Sequence, residues 1–245
     1  MNYVEISPTN EISSFVKCFW KYENKDKDAQ YTIFPNGYFE LFMIFEQQHL
    51  FSVFLSGLRT KPFEVFIPKG IIVSAIRFPL SASEYLFEQE ICSIRDTTMP
   101  LDSNFWGLKK WENLSFEDRT KEISGKISHM LSEKEIDRKK LSLLQTVYSP
   151  DLTVKEIAEK ILWDRRKINR YFNHQFGLSL KTFLNIIRLR NSFEALKNGT
   201  LYPDSNYYDQ SHYIKEVKKY TGELPKDLSK NECDRFLQFS VNKKS

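Results

Sequence analysis

Asp164-Arg165-Arg166-Lys167-Ile168-Asn169-Arg170-Tyr171-Phe172 decides how the second half of this chain reads. Asp209-Gln210-Ser211-His212-Tyr213-Ile214-Lys215-Glu216-Val217-Lys218 repeats its plan further on. Each stretch opens with an Asp, whose carboxylate can accept from the free N–H groups of a helix start. Each keeps an apolar pair four residues apart, Ile168/Phe172 and Tyr213/Val217. That spacing puts both members on one face of a helix, which can then pack inward. The opposite face carries Arg, Asn, Gln, Ser and Lys, the side chains that bond base edges and phosphates.

Local signals around these stretches predict further helices. Thr153-Val154-Lys155-Glu156 is a capping box opening a helix over Val154–Ile161. A short turn at Leu162-Trp163 joins it to the first basic helix, which Gly177 ends. The pair forms a helix-turn-helix, with small Ala158 where the two helices cross. A long helix follows over Leu180–Leu196 and stops at Asn198-Gly199. The second basic helix occupies about Gln210–Tyr220, stopped by Gly222. Upstream, Asp137–Tyr148 and Ser115–Leu131 read as helices, the latter with Ser115 and Asp118 at its start.

The first ninety residues read as β. Phe15–Tyr22, Tyr38–Phe45, Leu50–Leu55, Phe63–Ile67 and Ile71–Phe78 are short segments rich in aromatic and β-branched residues. Pro35-Asn36-Gly37, Ser56-Gly57 and Pro68-Lys69-Gly70 supply turns between them. Strands at this spacing suggest a small barrel or sandwich. Asn24–Gln30 reads as an exposed polar loop, Ser81–Glu90 as a short helix, and Met99–Trp111 as a connection with one helical turn. The charged run 132–140 is either a hinge or the exposed start of the next helix.

A chain of 245 residues suits two modest domains, and 20 Phe with 12 Tyr require at least one aromatic-rich core. The net charge of +4 is too small to decide anything, but its distribution is informative. Residues 1–140 hold 18 basic and 20 acidic side chains, whereas 163–190 hold seven basic and one acidic. Cys18, Cys92 and Cys233 are too few and too scattered for a disulfide framework or a zinc site. No apolar run reaches membrane-spanning length, and the start lacks the pattern of a signal peptide. A reducing cytoplasm is the expected compartment. Metal-dependent catalysis in a barrel needs converging His and carboxylate ligands, and His49 stands alone in this region. Phosphate-loop and nucleophile motifs are absent too, so no enzyme, cofactor, catalytic residue or metal ligand is expected.

Residues 150–228 resemble the DNA-binding domain of the AraC/XylS family of bacterial transcription regulators. The resemblance rests on Ile157-Ala158, Asp164-x-x-x-Ile168-x-Arg170-x-Phe172, Phe176-Gly177-Leu178-Ser179, Phe183-Leu184, Arg188-Leu189, Tyr208-Asp209-Gln210-Ser211-His212-Tyr213 and Lys218-Lys219-x-x-Gly222-x-x-Pro225. It implies two helix-turn-helix units joined by the long helix, with Arg166, Asn169, Arg170, Gln210, Ser211 and Lys215 at DNA-contacting positions. Including their neighbours, the expected DNA-facing set is Arg165, Arg166, Asn169, Arg170 and Asn173, then Gln210, Ser211, Ile214, Lys215 and Lys218. The chain departs from the family pattern between Arg188 and Asp209, where it is about four residues short. Leu201-Tyr202-Pro203-Asp204-Ser205-Asn206-Tyr207 stands where the first helix of the second unit is expected; Pro203 opposes a regular helix there, so that helix is reduced to about one turn or replaced by a loop. Val217 stands where Phe is usual, and the end lacks the customary aromatic-Arg pair.

Phe34-Pro35-Asn36-Gly37-Tyr38-Phe39-Glu40-Leu41, Phe19-Trp20 and Gly57-x-x-Thr60-Lys61-Pro62 are similar to a cupin-like sensory domain found upstream in some members. Trp20, Phe34, Tyr38, Glu40 and Arg77 are the candidate ligand residues; Glu40 and Arg77 alternatively point to solvent. The expectation is therefore an α+β protein. A small β-barrel or cupin-like domain with trailing helices spans 1–132, and an all-α domain of two helix-turn-helix units spans 133–232. The tail is 233–245. The implied function is a transcription regulator, an activator by family habit. Its implied partners are double-stranded promoter DNA, RNA polymerase, a small-molecule effector and a second copy of the chain, with no membrane. The alternative is a ligand-binding or interaction module whose DNA binding is degenerate and non-specific.

Overall fold

The computed structural model describes residues 2–202, 207 and 209–231. The apolar, alternating segments of the first part form eight strands: β1 (Asn2–Ile6), β2 (Cys18–Glu23), β3 (Ala29–Ile33), β4 (Phe39–Glu46), β5 (His49–Ser56), β6 (Phe63–Ile67), β7 (Ile72–Phe78) and β8 (Thr98–Leu101). Six make one antiparallel sheet in the order β1-β2-β7-β4-β5-β8, and β3 pairs with β6 in a separate two-stranded sheet. Successive side chains point to opposite faces of a strand, so the central strands carry two apolar faces. Phe19, Leu41, Met43, Val53, Leu55, Ile76 and Phe78 turn to the helices. Trp20, Tyr22, Val73 and Ala75 turn the other way, toward Tyr31, Val65 and Ile67 of the small sheet.

Three of these strands escape the sequence reading, and the reason is the same for each. β1 and β8 are the edges of the large sheet, and β3 belongs to a two-stranded one. An edge strand needs little apolar surface and tolerates proline, as Pro100 does in β8. The segment before β2 is also corrected. Ile12, Phe15 and Val16 are buried in and after a short 3-10 turn at Asn10–Ile12 rather than in a strand.

The helices are α1 (Ser81–Tyr85), α2 (Phe116–Ser132), α3 (Arg138–Thr146), α4 (Val154–Ile161), α5 (Arg165–Phe176), α6 (Leu180–Lys197), α7 (Gln210–Thr221) and α8 (Pro225–Lys230). Helix α8 starts with Pro at its first position, where the missing N–H costs nothing. In the sequence Pro225 reads only as a motif residue. The architecture is thus α+β, an antiparallel sheet region followed by a helical region. No described helix is long and apolar enough to cross a membrane.

One buried cluster runs from Ile12 through the sheet face to Phe172, Phe176 and Phe183, so the two regions share a core. The link between α2 and α3 is tethered as well. Lys134 pairs with Glu88, and the Tyr85 hydroxyl donates to the Asp137 carbonyl at 3.3 Å.

Candidate nucleic-acid interface

Helix α4 begins with a complete capping box. The Thr153 hydroxyl accepts from the Glu156 N–H at 3.3 Å, and the Glu156 carboxylate accepts from the Thr153 N–H at 2.7 Å. Those bonds from Thr153 hold the Glu156 carboxyl below its ordinary range. A depressed carboxyl contributes stability above its unfolded range and loses it as the pH falls through the folded one. Ile157, Ala158 and Ile161 are buried and share one cluster with Ile168 and Phe172 of α5.

The turn between them holds an unusual residue. Leu162 caps α4 in the left-handed conformation, φ 55° and ψ 44°, with its side chain 80% exposed. A Cβ in that conformation costs roughly 1–2 kcal/mol, and glycine avoids the cost. Leu162→Gly should therefore stabilise the chain by about 1 kcal/mol and raise Tm by about 2–4 °C. Thermal unfolding by circular dichroism checks this, and an unchanged or lower Tm would contradict it.

Helix α5 starts under the Asp164 carboxylate, which accepts from the Arg166 N–H at 2.7 Å and the Lys167 N–H at 3.3 Å. It ends at Gly177 in the left-handed conformation. Arg165, Arg166, Asn169, Arg170 and Asn173 are all exposed. Among the described residues no ion pair engages Arg165, Arg166 or Arg170. The two Asn differ from the Arg. Asn169 Oδ1 accepts from the Leu180 N–H at 3.4 Å, and Asn173 Nδ2 donates to the Asn169 carbonyl at 2.8 Å. Lys167 lies over the Trp163 ring at 4.2 Å.

The inward side of α5 is gripped by the sheet region. The Tyr171 hydroxyl donates to Glu84, which also holds Lys140 at 2.6 Å. Burial, then the Glu84 carboxylate, pushes the Tyr171 hydroxyl well above its ordinary value, so it stays a donor. Gln175 Nε2 donates to the Gln89 carbonyl at 2.9 Å, and the Ile91 N–H donates to the Gln175 carbonyl at 3.0 Å. Arg95 donates to the Gly177 carbonyl. None of these contacts uses the outward Arg side chains.

Helix α7 repeats the arrangement. Asp209 accepts from the His212 N–H at 2.7 Å, and Gly222 closes the end in the left-handed conformation. Tyr213 and Val217 are buried, Gln210, Ser211, Lys215 and Lys218 are exposed, and Ile214 is half-buried. The Tyr213 hydroxyl donates to Ser192 Oγ at 3.3 Å, and Asn185 Nδ2 donates to Glu216 at 2.9 Å, both tying α7 to α6. Of residues 198–209, those described are not helical; 203–206 and 208 lie outside the described residues, and Pro203 and Tyr208 with them. Cys233 and the tail also lie outside the described residues.

The candidate ligand residues separate into three groups. Trp20, Glu40 and Arg77 come together: Arg77 Nε and Trp20 Nε1 both donate to Glu40 Oε1, at 2.6 and 3.1 Å. Glu40 and Arg77 are cross-strand neighbours on β4 and β7, and Glu40 is buried against Arg77, so the alternative in which Glu40 points to solvent is corrected. Burial opposes the Arg77 charge, and the Glu40 carboxylate restores it, leaving the guanidinium above its ordinary value. Burial also pushes the Cys18 thiol up to about 12, so it adds no charge beside the pair. Tyr38 stacks on Tyr148 with ring centroids 5.1 Å apart. Phe34 joins neither group: it is 1% exposed and packs in an apolar cluster with residues of α6 and α7.

Tyr38 and Arg77 line a cavity of about 450 Å³ together with Asn36 and, from α6, Arg190, Asn191, Phe193, Glu194 and Lys197. Arg190 lies over the Tyr38 ring at 5.0 Å and donates to the Asn36 carbonyl at 3.3 Å. Burial lowers Lys197 from its ordinary value. The sequence reading missed Arg190 and Lys197. Their only signal is an excess of cations on a helix face, and no local pattern says that the sheet region covers it.

The sequence model of one family, described as a domain of unknown function (DUF6597), matches residues 4–100. No curated protein matches the chain. Among solved structures, ToxT from Vibrio cholerae O395 bound to (E)-4-(8-methylnaphthalen-1-yl)but-3-enoic acid is similar over 91% of this chain and 98% of its own, at 14% identity and a TM-score of 0.46. A second ToxT structure from Vibrio cholerae, the P21 form, covers 99% of this chain and 100% of its own, at 14% identity and a TM-score of 0.45. ToxT from strain SCE256 with bound unsaturated fatty acid covers 84% and 91%, at 12% identity and a TM-score of 0.38.

Proposed function

We propose that the chain is a sequence-reading transcription regulator of the AraC/XylS type. The observation that carries this reading is the pair of Asp-capped helices, α5 and α7. Both bury an apolar pair on one face and expose a basic, polar row on the other. Arg165, Arg166 and Arg170 keep their donors for a partner outside the chain. A guanidinium can make two hydrogen bonds to one guanine edge, so it can choose as well as attract. Lys215 and Lys218 supply charge to phosphates, with release of bound counterions. Successive major-groove segments on one face of the duplex lie about 34 Å apart, the spacing that two such units would span. Asn169 is the weaker reader, because its Oδ1 already accepts from Leu180.

The effector site in this reading is the cavity between β7, the β3–β4 turn and α6. Three cations, Arg77, Arg190 and Lys197, and one carboxylate, Glu194, border it alongside the Tyr38 ring. That lining suits a small organic anion with an aromatic or apolar body. Such a ligand acts only by favouring one placement of the sheet region against α6 over another. The family resemblance adds activation of transcription through RNA polymerase and a second copy of the chain as partners.

The test is a gel-shift titration of the full chain across salt, on the chain's own upstream DNA and on random DNA. Specific binding should be at least about 10³-fold tighter than random binding at physiological salt. Affinity for both should fall linearly on a log–log salt plot. Equal affinity for the two DNAs would overturn sequence reading. It would favour the alternative, a ligand-binding module with residual non-specific DNA affinity. The shortened stretch between Arg188 and Asp209, where Pro203 opposes a regular helix, is the sequence feature that favours that alternative.

A further inference from the structure

Phe34-Pro35-Asn36-Gly37 is a stiff turn between β3 and β4. Pro35 sets its own φ, Asn36 Oδ1 accepts from the Tyr38 N–H at 2.9 Å, and Gly37 has φ +79°. The turn does not project into solvent. Its tip sits against α6, and the hydroxyl of Tyr148, just past the end of α3, donates to the Gly37 carbonyl at 2.9 Å. A Cβ at Gly37 would lie 2.5 Å from Ile187 Cδ1. Phe34 is carried past this contact into the helical region, with its ring centroid 5.8 Å from that of Phe193. Among the described residues it is the one member from the first 180 in the buried cluster that contains Leu189 of α6 and Tyr213, Val217 and Tyr220 of α7.

The first unit shows what a second helix of this kind needs. There Ile168 and Phe172 of α5 close against Ile157, Ala158 and Ile161 of α4. We infer that Phe34 is a positioning residue for α7, an apolar wall lent by the sheet region to the cluster that α7 shares with α6. Asn36, two residues on, borders the cavity together with Phe193, so whatever fills the cavity touches the same turn. The aim of α7 is thereby coupled to how the sheet region docks. This inference rests on the DNA-reading role proposed for α7, but its first test does not use DNA.

The first measurement is hydrogen exchange on the full chain. Phe34→Ala should raise exchange of the α7 amides 213–221 by about tenfold or more and leave the α5 amides 165–176 within about twofold. Phe34→Leu, which keeps most of the apolar volume, should give a smaller rise still confined to α7. It decides the matter alone if the Ala variant does not fold. Equal rises in α5 and α7, or none in α7, would overturn the inference. The second measurement is a cycle on promoter DNA. Lys215→Ala should weaken binding about fivefold in the parent chain and under about twofold beside Phe34→Ala, while Arg170→Ala keeps its full effect in both. A full Lys215→Ala effect beside Phe34→Ala overturns the inference. If neither Lys215→Ala nor Arg170→Ala matters in the parent chain, the DNA-reading role fails, and the exchange result alone decides for or against Phe34.

Discussion

Arg170→Ala is expected to weaken binding to the chain's own upstream DNA by about 1–3 kcal/mol, or about 5- to 150-fold. Arg170 is exposed on α5, outside every ion pair among the described residues and outside the contacts that hold α5 to the sheet region. Its removal therefore leaves no buried group unsatisfied, and stability should change by less than about 0.5 kcal/mol. Loss of affinity with an unchanged unfolding curve would locate the effect at the DNA. Random DNA should lose less, because it misses only a charge and not a base-edge contact. Asn169→Ala is a poorer probe, since it also removes the acceptor for the Leu180 N–H at the start of α6. Unchanged affinity of a folded Arg170→Ala chain would remove α5 as the reading helix.

Arg77→Met should be the most destabilising of the site substitutions. Glu40 is 9% exposed and accepts from both Arg77 and Trp20. Taking away one member of such a pair leaves an uncompensated charge inside, at a cost of about 3–5 kcal/mol. That is a large share of a total stability of roughly 5–15 kcal/mol. Arg77→Met with Glu40→Met in the same chain removes both charges and should recover most of the loss. Urea unfolding of the parent, the single and the double variants measures the cycle. The double variant also separates packing from ligand capture. It should be folded, yet it lacks one of the three cations of the cavity, so an anionic effector should bind it more weakly. A loss below about 1 kcal/mol in the single variant would show that the Glu40–Arg77 pair carries no such burden.

The legible parts of this molecule are local ones. The capping Asp164 and Asp209, the box at Thr153 and Glu156, and the stops at Gly177 and Gly222 fall where the structure has helix ends. Each is decided within one turn of chain, so neighbours in sequence carry all the information. Strands β1, β3 and β8 are illegible because a strand at an edge or in a two-stranded sheet needs little apolar surface and shows little pattern of its own. The second unit lies between these cases. Pro203 marks the place where a helix is opposed, but nothing near it says that Phe34, some 170 residues earlier, packs into the same cluster.

From its residues alone the chain determined most of its helical segments, which of their faces are apolar, and which polar side chains the outward faces of α5 and α7 carry. Helix periodicity and caps act over a few residues, so composition and spacing suffice for them. Tertiary structure alone decided that Arg77 meets Glu40, that Arg190 and Lys197 face Tyr38 across a cavity, and that Glu84 holds Tyr171. Those pairings join segments distant along the chain. Burial sets their strength, and burial is a property of the packed whole rather than of any stretch of it.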